Sequence, residues 1–168
     1  MHHIFFFSAP NKLISPLIEY FSCVDSNLSI SGLLSVSREN VSDKYENLDI
    51  LYLHDLYTSQ YKHVHSSSPP SGFWDFIAAR ELTLCRTLAR FIEAPYYQDQ
   101  QFLINLYASF WFSYFQQKHY DIYIFPSTPH RGVDNIAFEV LLYLKKRVLL
   151  ITEFHRDGYL LLSSALIG

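Results

Sequence analysis

Short apolar runs alternate along this chain with longer segments in which apolar residues recur at every third or fourth position. Compact apolar runs are typical of buried parallel strands, and the longer period is typical of helices that pack through one face. The predicted strands are 4–8, 48–53, 121–125 and 147–152, weaker strand candidates are 28–37 and 159–163, and the predicted helices are 16–22, 72–92, 98–118 and 133–145. This order predicts an α/β fold, a Rossmann-like three-layer sandwich with a mostly parallel sheet.

Proline, serine and glycine indicate where several elements begin or are interrupted. Pro16 fits the first turn of helix 16–22 with Ser15 as its cap, and Ser71 is expected to cap helix 72–92. The stretch 28–37 contains a central glycine, so it is read either as a strand or as an irregular excursion.

The segment 121–152 carries most of the information about topology. It reads as a strand, a loop over 126–132, a helix over 133–145 and a second strand. A crossover of this length joins parallel strands, so the two strands are expected to be parallel. The basic run 145–147 follows the helix, where cations complement the helix dipole, and it is not read as a nucleic-acid patch.

The composition fits one Rossmann-like domain spanning residues 1–168. Hydrophobic residues make up 49% of the chain, aromatic residues 17% and charged residues 17%. So small a charged fraction leaves a thin polar surface, and we expect an apolar face for a missing C-terminal domain or a protein partner. The net charge of −3 argues against nucleic acid as a partner.

No segment reads as an export signal or a transmembrane helix. The apolar run 4–8 is short and has no basic region before it, and the uncharged stretch 100–117 carries many Gln, Asn and Ser side chains. Cys23 and Cys85 have neither metal nor redox spacing, so no disulfide framework is predicted. We expect a cytoplasmic protein, with peripheral association with the inner membrane as an alternative.

A wide apolar stripe runs along the predicted helix 98–118. Core packing is the main interpretation of this stripe, and an aromatic platform on which sugars stack is the alternative. Its members are Phe102, Leu103, Leu106, Tyr107, Phe110, Trp111, Tyr114 and Phe115.

The loop after strand 121–125 collects more chemistry than the other loops expected at the same sheet edge, 8–11 and 54–59. In open α/β sheets, ligands bind beyond the carboxyl ends of the strands, where the strand order switches. Hydroxyls, an imidazole, a guanidinium, a glycine and a carboxylate lie close to the start of the next helix, whose unpaired N–H groups favour an anion. These candidate residues are Ser127, Thr128, His130, Arg131, Gly132 and Asp134.

Each candidate also has a structural interpretation. Ser127 or Thr128 would cap the turn. Asp134 would complement the helix dipole or pair with Arg131. Glu139, further along the same helix, is read as a solvent-facing residue.

Several familiar motifs are absent. The chain contains no GxGxxG, no GxxxxGK[ST] and no GxSxG sequence. His63 and His65 have no convincing third ligand nearby, so neither a metal nor another cofactor is predicted. The pair His54-Asp55 is read as a turn, with a general base as the alternative, and a metal enzyme using His130 and Asp134 is a weaker idea.

The region 116–153 combines a strand, a Pro-His loop, an Asp, an amphipathic helix and a second strand. These features lie in three segments, Tyr120–Asp134, Ala137–Leu142 and Lys146–Ile151. The three segments resemble bacterial capsule and surface-polysaccharide biosynthesis proteins, which are glycosyltransferase-like proteins of the two-domain GT-B kind.

The resemblance implies the N-terminal half of a sugar-transfer protein, which shapes the acceptor side of the cleft while a second domain holds the nucleotide sugar. The implied partners are a nucleotide sugar and a saccharide acceptor, and the implied reaction is hexosyl transfer. His130 is implied as a base or acceptor contact, and Arg131 as an anion contact.

Two departures from that pattern affect the expected function. The sequence up to Gly168 contains no second domain, and the loop 8–11 lacks the glycine common in such folds. We therefore expect either a truncated reading frame or a single-domain relative that has lost transfer. The alternative function is a non-catalytic Rossmann-like binding or protein-interaction module.

Overall fold

The computed structural model describes residues 1–9, 11–36, 47–58, 68–92, 96–153 and 160–165. The strands are β1 His2–Ala9, β2 Leu28–Ser35, β3 Asp49–Tyr52, β4 Ile122–Phe125, β5 Val148–Glu153 and β6 Leu160–Ala165. The helices are α1 Asn11–Val24, α2 Leu53–Tyr57, α3 Ser71–Ala78, α4 Glu81–Leu88, α5 Tyr97–Gln117 and α6 Gly132–Tyr143. These residues group into a sheet unit drawn from Met1–Tyr61, His119–Thr128 and Arg147–Leu166, and a helical unit drawn from Lys62–Lys118 and Pro129–Lys146.

The sheet unit contains a six-stranded sheet in the order β3-β2-β1-β4-β5-β6. Strands β1 to β5 are parallel, and β6 runs antiparallel beside β5. The predicted α/β, Rossmann-like fold with a mostly parallel sheet is therefore confirmed. The two crossover strands are parallel as predicted, with Phe125 of β4 opposite Leu150 of β5. The stretch 28–37, which the sequence left open, forms strand β2 over most of its length.

The strand order reverses between β1 and β4. The chain places β2 and β3 on one side of β1, and β4 follows on the other side with Ile122 opposite Ile4. Beside this ladder, His3 and Asp121 are joined by two hydrogen bonds. The His3 backbone N–H donates to Asp121 Oδ2 at 2.7 Å, and the Asp121 N–H donates to the His3 carbonyl at 2.8 Å. The first of these bonds lowers the pKa of the Asp121 carboxyl, because it favours the ionised form.

One face of the central strands packs against α1. Side chains alternate along a strand, so every second residue of β1 and β4 points to this face. Ile18 and Phe21 of α1 contact its apolar surface, and removal of that surface from water stabilises the contact. The buried residues on this face are Ile4, Phe6, Ile30, Leu33, Ile122 and Ile124.

The other face of β1 and β4 is aromatic. The rings of Phe7 and Phe125 stack with centroids 4.0 Å apart, and the centroids of Phe5 and Tyr120 are 5.1 Å apart. Gly32 of β2 leaves room for these rings, because a Cβ there would lie 2.6 Å from the Tyr120 ring and would also meet Phe5. The glycine in the stretch 28–37 therefore allows close packing without ending the strand.

Helix α1 begins earlier than the sequence predicts. Its first residue is Asn11, so Pro16 lies inside the helix as the sixth residue and Ser15 is not its cap. The predicted start is wrong because a proline near a helix start removes only one backbone hydrogen bond, which the helix tolerates while α1 packs on the sheet.

Helix α5 packs against α4 and α6 in the helical unit, and the predicted apolar stripe divides into two parts along it. The C-terminal part is buried, and Trp111 stacks on Phe115 with ring centroids 5.1 Å apart. Core packing is confirmed for this part, whose buried members are Tyr107, Phe110, Trp111, Tyr114 and Phe115. The N-terminal part is more open: Phe102 is 65% exposed.

The predicted helix 72–92 is wrong as a single element, because it divides into α3 and α4 before Arg80. Ser71 is the first residue of α3 and not its cap. The Arg80 guanidinium donates to the Phe76 carbonyl at 3.1 Å and lies 3.5 Å from the centroid of the Phe76 ring. Its Nε also pairs with Glu139 Oε2 of α6 at 2.6 Å. These contacts stabilise Arg80 at the junction of the two helices.

The interpretation of Glu139 as a solvent-facing residue is wrong. Its side chain is only 16% exposed, because α6 packs against α3 and α4 and brings it to Arg80. Burial raises the pKa of the Glu139 carboxyl, and the Arg80 guanidinium partly opposes that shift.

Helix α6 ends at a residue with left-handed backbone angles. Lys145 has φ of 53°, and its N–H donates to the Leu142 carbonyl at 3.0 Å. The Lys146 N–H donates to the Leu141 carbonyl, also at 3.0 Å. This pair of bonds is a Schellman motif. The backbone N–H groups of Lys145 and Lys146 thus satisfy two of the last carbonyls of the helix.

We expect Glu139→Gln to remove a contribution to the free energy of unfolding. In the parent protein this contribution becomes smaller as pH rises. The raised pKa means that the native carboxyl keeps its proton at pH values where the unfolded chain has lost it. Its stabilising contribution is therefore complete in acid, and it falls as pH rises through the unfolded and then the folded pKa. Urea unfolding across the acidic and neutral range measures this dependence, and an identical pH dependence in the variant and the parent protein would contradict it.

Candidate functional site

The carboxyl ends of β1 and β4 lie side by side where the strand order reverses. In open α/β sheets this reversal opens a crevice in which ligands bind. Strand β4 ends at Phe125, so the loop that begins at Pro126 leaves the sheet at this switch point. The segment 54–59, expected as a second loop at this edge, instead lies largely in the short helix α2, with His54 exposed.

Ser127 and Thr128 belong to the sheet unit and are exposed directly after the buried strand β4. The four residues of β4 are all buried in the sheet, and Ser127 and Thr128 lie just beyond its carboxyl end. Each hydroxyl can donate one hydrogen bond and accept others, which suits a hydroxylated or phosphorylated ligand.

His130 and Arg131 belong to the helical unit and differ in exposure. The imidazole of His130 is exposed, and its ring centroid is 6.1 Å from that of Phe91. Arg131 is half-buried and occupies the N-cap of α6 without a side-chain capping bond. Its Nη1 is buried and has no hydrogen-bond partner among the described residues. The pairing of Arg131 with Asp134, one of the structural interpretations of these residues, stays a prediction.

Gly132 and Asp134 are buried at the start of α6. A Cβ on Gly132 would lie 2.7 Å from the Cα of Leu88, so the glycine allows α6 to approach α4 closely. The sequence suggested that Gly132 allows a close approach, and the element that approaches it is helix α4. Asp134 is 4% exposed and contributes no open carboxylate to the surface.

Sequence reasoning missed two residues that hold the start of α6 in position. Asn135 Nδ2 donates to Thr87 Oγ1 of α4 at 3.2 Å, and the Thr87 hydroxyl donates to the Leu84 carbonyl at 2.9 Å. The sequence feature that could have pointed to them is Asn135, a polar residue in an apolar helical turn. A buried asparagine needs a hydrogen-bond partner. Phe91 was also missed, because its proximity to His130 depends on how α4 and α6 pack.

Other candidate chemistry is sparse among the described residues. In these ranges no three His, Cys, Asp or Glu side chains form a group that could hold a metal ion. His63 and His65 lie outside the described residues. Within the same part of the chain, no helix has both the length and the apolarity needed to cross a membrane.

Comparisons with known proteins give no assignment: no family model, no curated protein and no solved structure matches this chain. The class is therefore defined by the sheet order, which is that of a Rossmann-like α/β protein.

Gly132→Ala is expected to destabilise the helical unit, because the added Cβ would meet the backbone of Leu88. Overpacking of this kind costs about 1–3 kcal/mol. Gly72→Ala is the matched control, since a Cβ there meets nothing within 4 Å. His130→Ala, at an exposed position, should change the free energy of unfolding by less than about 0.5 kcal/mol. Chemical unfolding of the three variants checks these values, and equal costs at the two glycines would contradict the packing argument.

Proposed function

We propose that this chain is a glycosyltransferase-like domain of bacterial capsular or surface-polysaccharide biosynthesis. The observation that supports the proposal best is the reversal of strand order between β1 and β4, directly before the loop that resembles those proteins. A sheet of this order binds ligands beyond the carboxyl ends of its strands at the reversal. The domain contributes the acceptor side of a cleft, and a second domain supplies most, but not all, of the contacts to the nucleotide sugar.

The exposed residues of the loop carry the chemistry in this proposal. Ser127 and Thr128 bind hydroxyl or phosphate oxygens, and both are open to solvent. His130 accepts the proton of the acceptor hydroxyl as that oxygen bonds to the anomeric carbon of the donor sugar. The bond from that carbon to the phosphate oxygen breaks, and the nucleotide leaves as an anion, so His130 acts as a general base. Arg131, a half-buried residue, binds an anionic group through its guanidinium.

Gly132 and Asp134 have a supporting role in this proposal. Both are buried, so they shape the first turn of α6 and do not themselves contact substrate. The helix start that they form presents backbone N–H groups to an anion, and the absence of a side-chain cap on α6 agrees with that use.

The alternative function is a non-catalytic binding or protein-interaction module. Two observations favour it: the chain lacks the usual phosphate-binding motifs, and two of the six candidate residues are buried in helix packing. In this case the loop would bind a ligand or a partner without transferring a sugar.

Calorimetric titration with UDP-, GDP- and CMP-sugars tests the proposal. We expect binding of one of these donors or of a saccharide acceptor, and a roughly tenfold loss of affinity in His130→Ala if one hydrogen bond to the imidazole is lost. His119→Ala is the matched control, because this exposed histidine precedes β4 and lies at its opposite end. Absence of binding, together with stable self-association, would favour the interaction module. Equal losses in the two variants would contradict the role of His130.

A further inference from the structure

A groove lies along α5 in the helical unit, at some distance in sequence from the α6 loop. It consists of two adjoining depressions of about 320 and 270 Å³, which share Trp74 and Asn105. Together they reach the size range of small-molecule sites. We call it the Trp74 groove, and the residues that matter for its chemistry are Trp74, Ile77, Glu81, Gln101, Ile104 and Asn105.

The groove has an apolar floor and a polar rim. Ile77 and Ile104 are buried beneath it, and the half-buried indole of Trp74 is common to both depressions. Glu81 and Gln101 line the 270 Å³ depression, in which polar groups contribute much more of the surface than in the other. A few polar groups on an apolar, aromatic surface are the usual composition of a site for a small ligand.

Hydrogen bonds hold part of the polar rim in place. Gln101 Nε2 donates to the Tyr97 hydroxyl at 3.1 Å. Hydrogen bonding to the Glu81 carboxylate raises the pKa of Tyr97, because it favours the neutral phenol. Glu81 and Gln101 thus both interact with the Tyr97 side chain at this rim. The carboxamide of Asn105 is exposed and makes no hydrogen bond to the described residues.

We propose that the Trp74 groove binds a neutral saccharide. A sugar ring is amphipathic: its C–H face packs against an aromatic ring, and its hydroxyls need donors and acceptors at the edge. The indole of Trp74 provides the flat apolar surface. The Glu81 carboxylate accepts hydrogen bonds from sugar hydroxyls. The carboxamides of Gln101 and Asn105 both accept and donate hydrogen bonds.

Two other occupants fit the lining less well. A phosphorylated ligand would meet the Glu81 carboxylate, and none of the described residues that line the groove is Lys or Arg. An apolar helix, or an apolar face of a second copy, would remove Glu81, Gln101 and Asn105 from water without giving them partners, which is costly. The exposed rings of Tyr97 and Phe102, near the groove, suit further sugar units of a chain.

This inference goes beyond the proposed function and shares no residue with the loop Ser127–Asp134. It uses the open, N-terminal part of the aromatic stripe, for which sugar stacking was the alternative interpretation. Core packing holds for the C-terminal part only.

Titration of the intact protein with glucose-, galactose- and mannose-based di- and trisaccharides, followed by NMR, tests the proposal. We expect the indole N–H signal of Trp74 and the side-chain amide signals of Asn105 and Gln101 to shift for at least one of these sugars. Asn105→Ala, a change at an exposed position, should weaken binding roughly tenfold through the loss of hydrogen bonds to the sugar. Trp74→Ala should abolish it.

Phe91→Ala is the matched control, since this residue is exposed in the same unit and does not line the groove. The saccharide-induced shift of the Trp74 signal should survive in Phe91→Ala. It should also survive in His130→Ala when that variant loses binding at the loop, so the two proposals fail separately. No shift with any sugar would overturn the inference, as would unchanged affinity in Asn105→Ala. Shifts at Trp74 that depend on protein concentration alone would identify a second copy as the occupant and would also overturn it.

Discussion

The parallel pairing of β1 with β4 is the interaction on which the sheet and the candidate loop both depend. It joins the first strand of the chain to a strand more than a hundred residues later, with Ile4 opposite Ile122. Because β2 and β3 occupy the other side of β1, this pairing creates the reversal of strand order. Ser127 and Thr128, directly after β4, owe their position at the switch point to this pairing and not to any motif of their own.

Close packing at glycines determines how neighbouring elements approach one another in each unit. Gly32 leaves space for the rings of Phe5 and Tyr120 in the sheet unit, and Gly132 leaves space for Leu88 in the helical unit. A protein with 17% aromatic residues needs such positions, because large rings fill a core only where a neighbour is small. Gly132 therefore belongs to the packing of the helical unit, although it lies within the loop that carries the candidate chemistry.

The sequence predicted the elements whose signals are local. The strands beginning near Ile4, Asp121 and Arg147 are continuous apolar runs, and a crossover of that length leaves only the parallel arrangement for the last two. The sequence did not predict the division of helix 72–92 or the burial of Glu139, because both depend on Arg80 reaching across to α6. Residue type identified the candidate residues of the loop, but it could not show which of them are buried. Arg131, Gly132 and Asp134 differ in exposure because α6 packs against α4.

Through-space NMR contacts between the backbones of β1 and β4 would show whether these strands are parallel neighbours. A parallel pair gives contacts that advance together along the two strands, from Ile4 with Ile122 to Phe6 with Ile124. We expect this series, with the amide protons of both strands protected from exchange. Contacts that run in opposite directions, or a β4 that pairs with another strand in place of β1, would contradict the switch point and the position of Ser127 and Thr128 beside it.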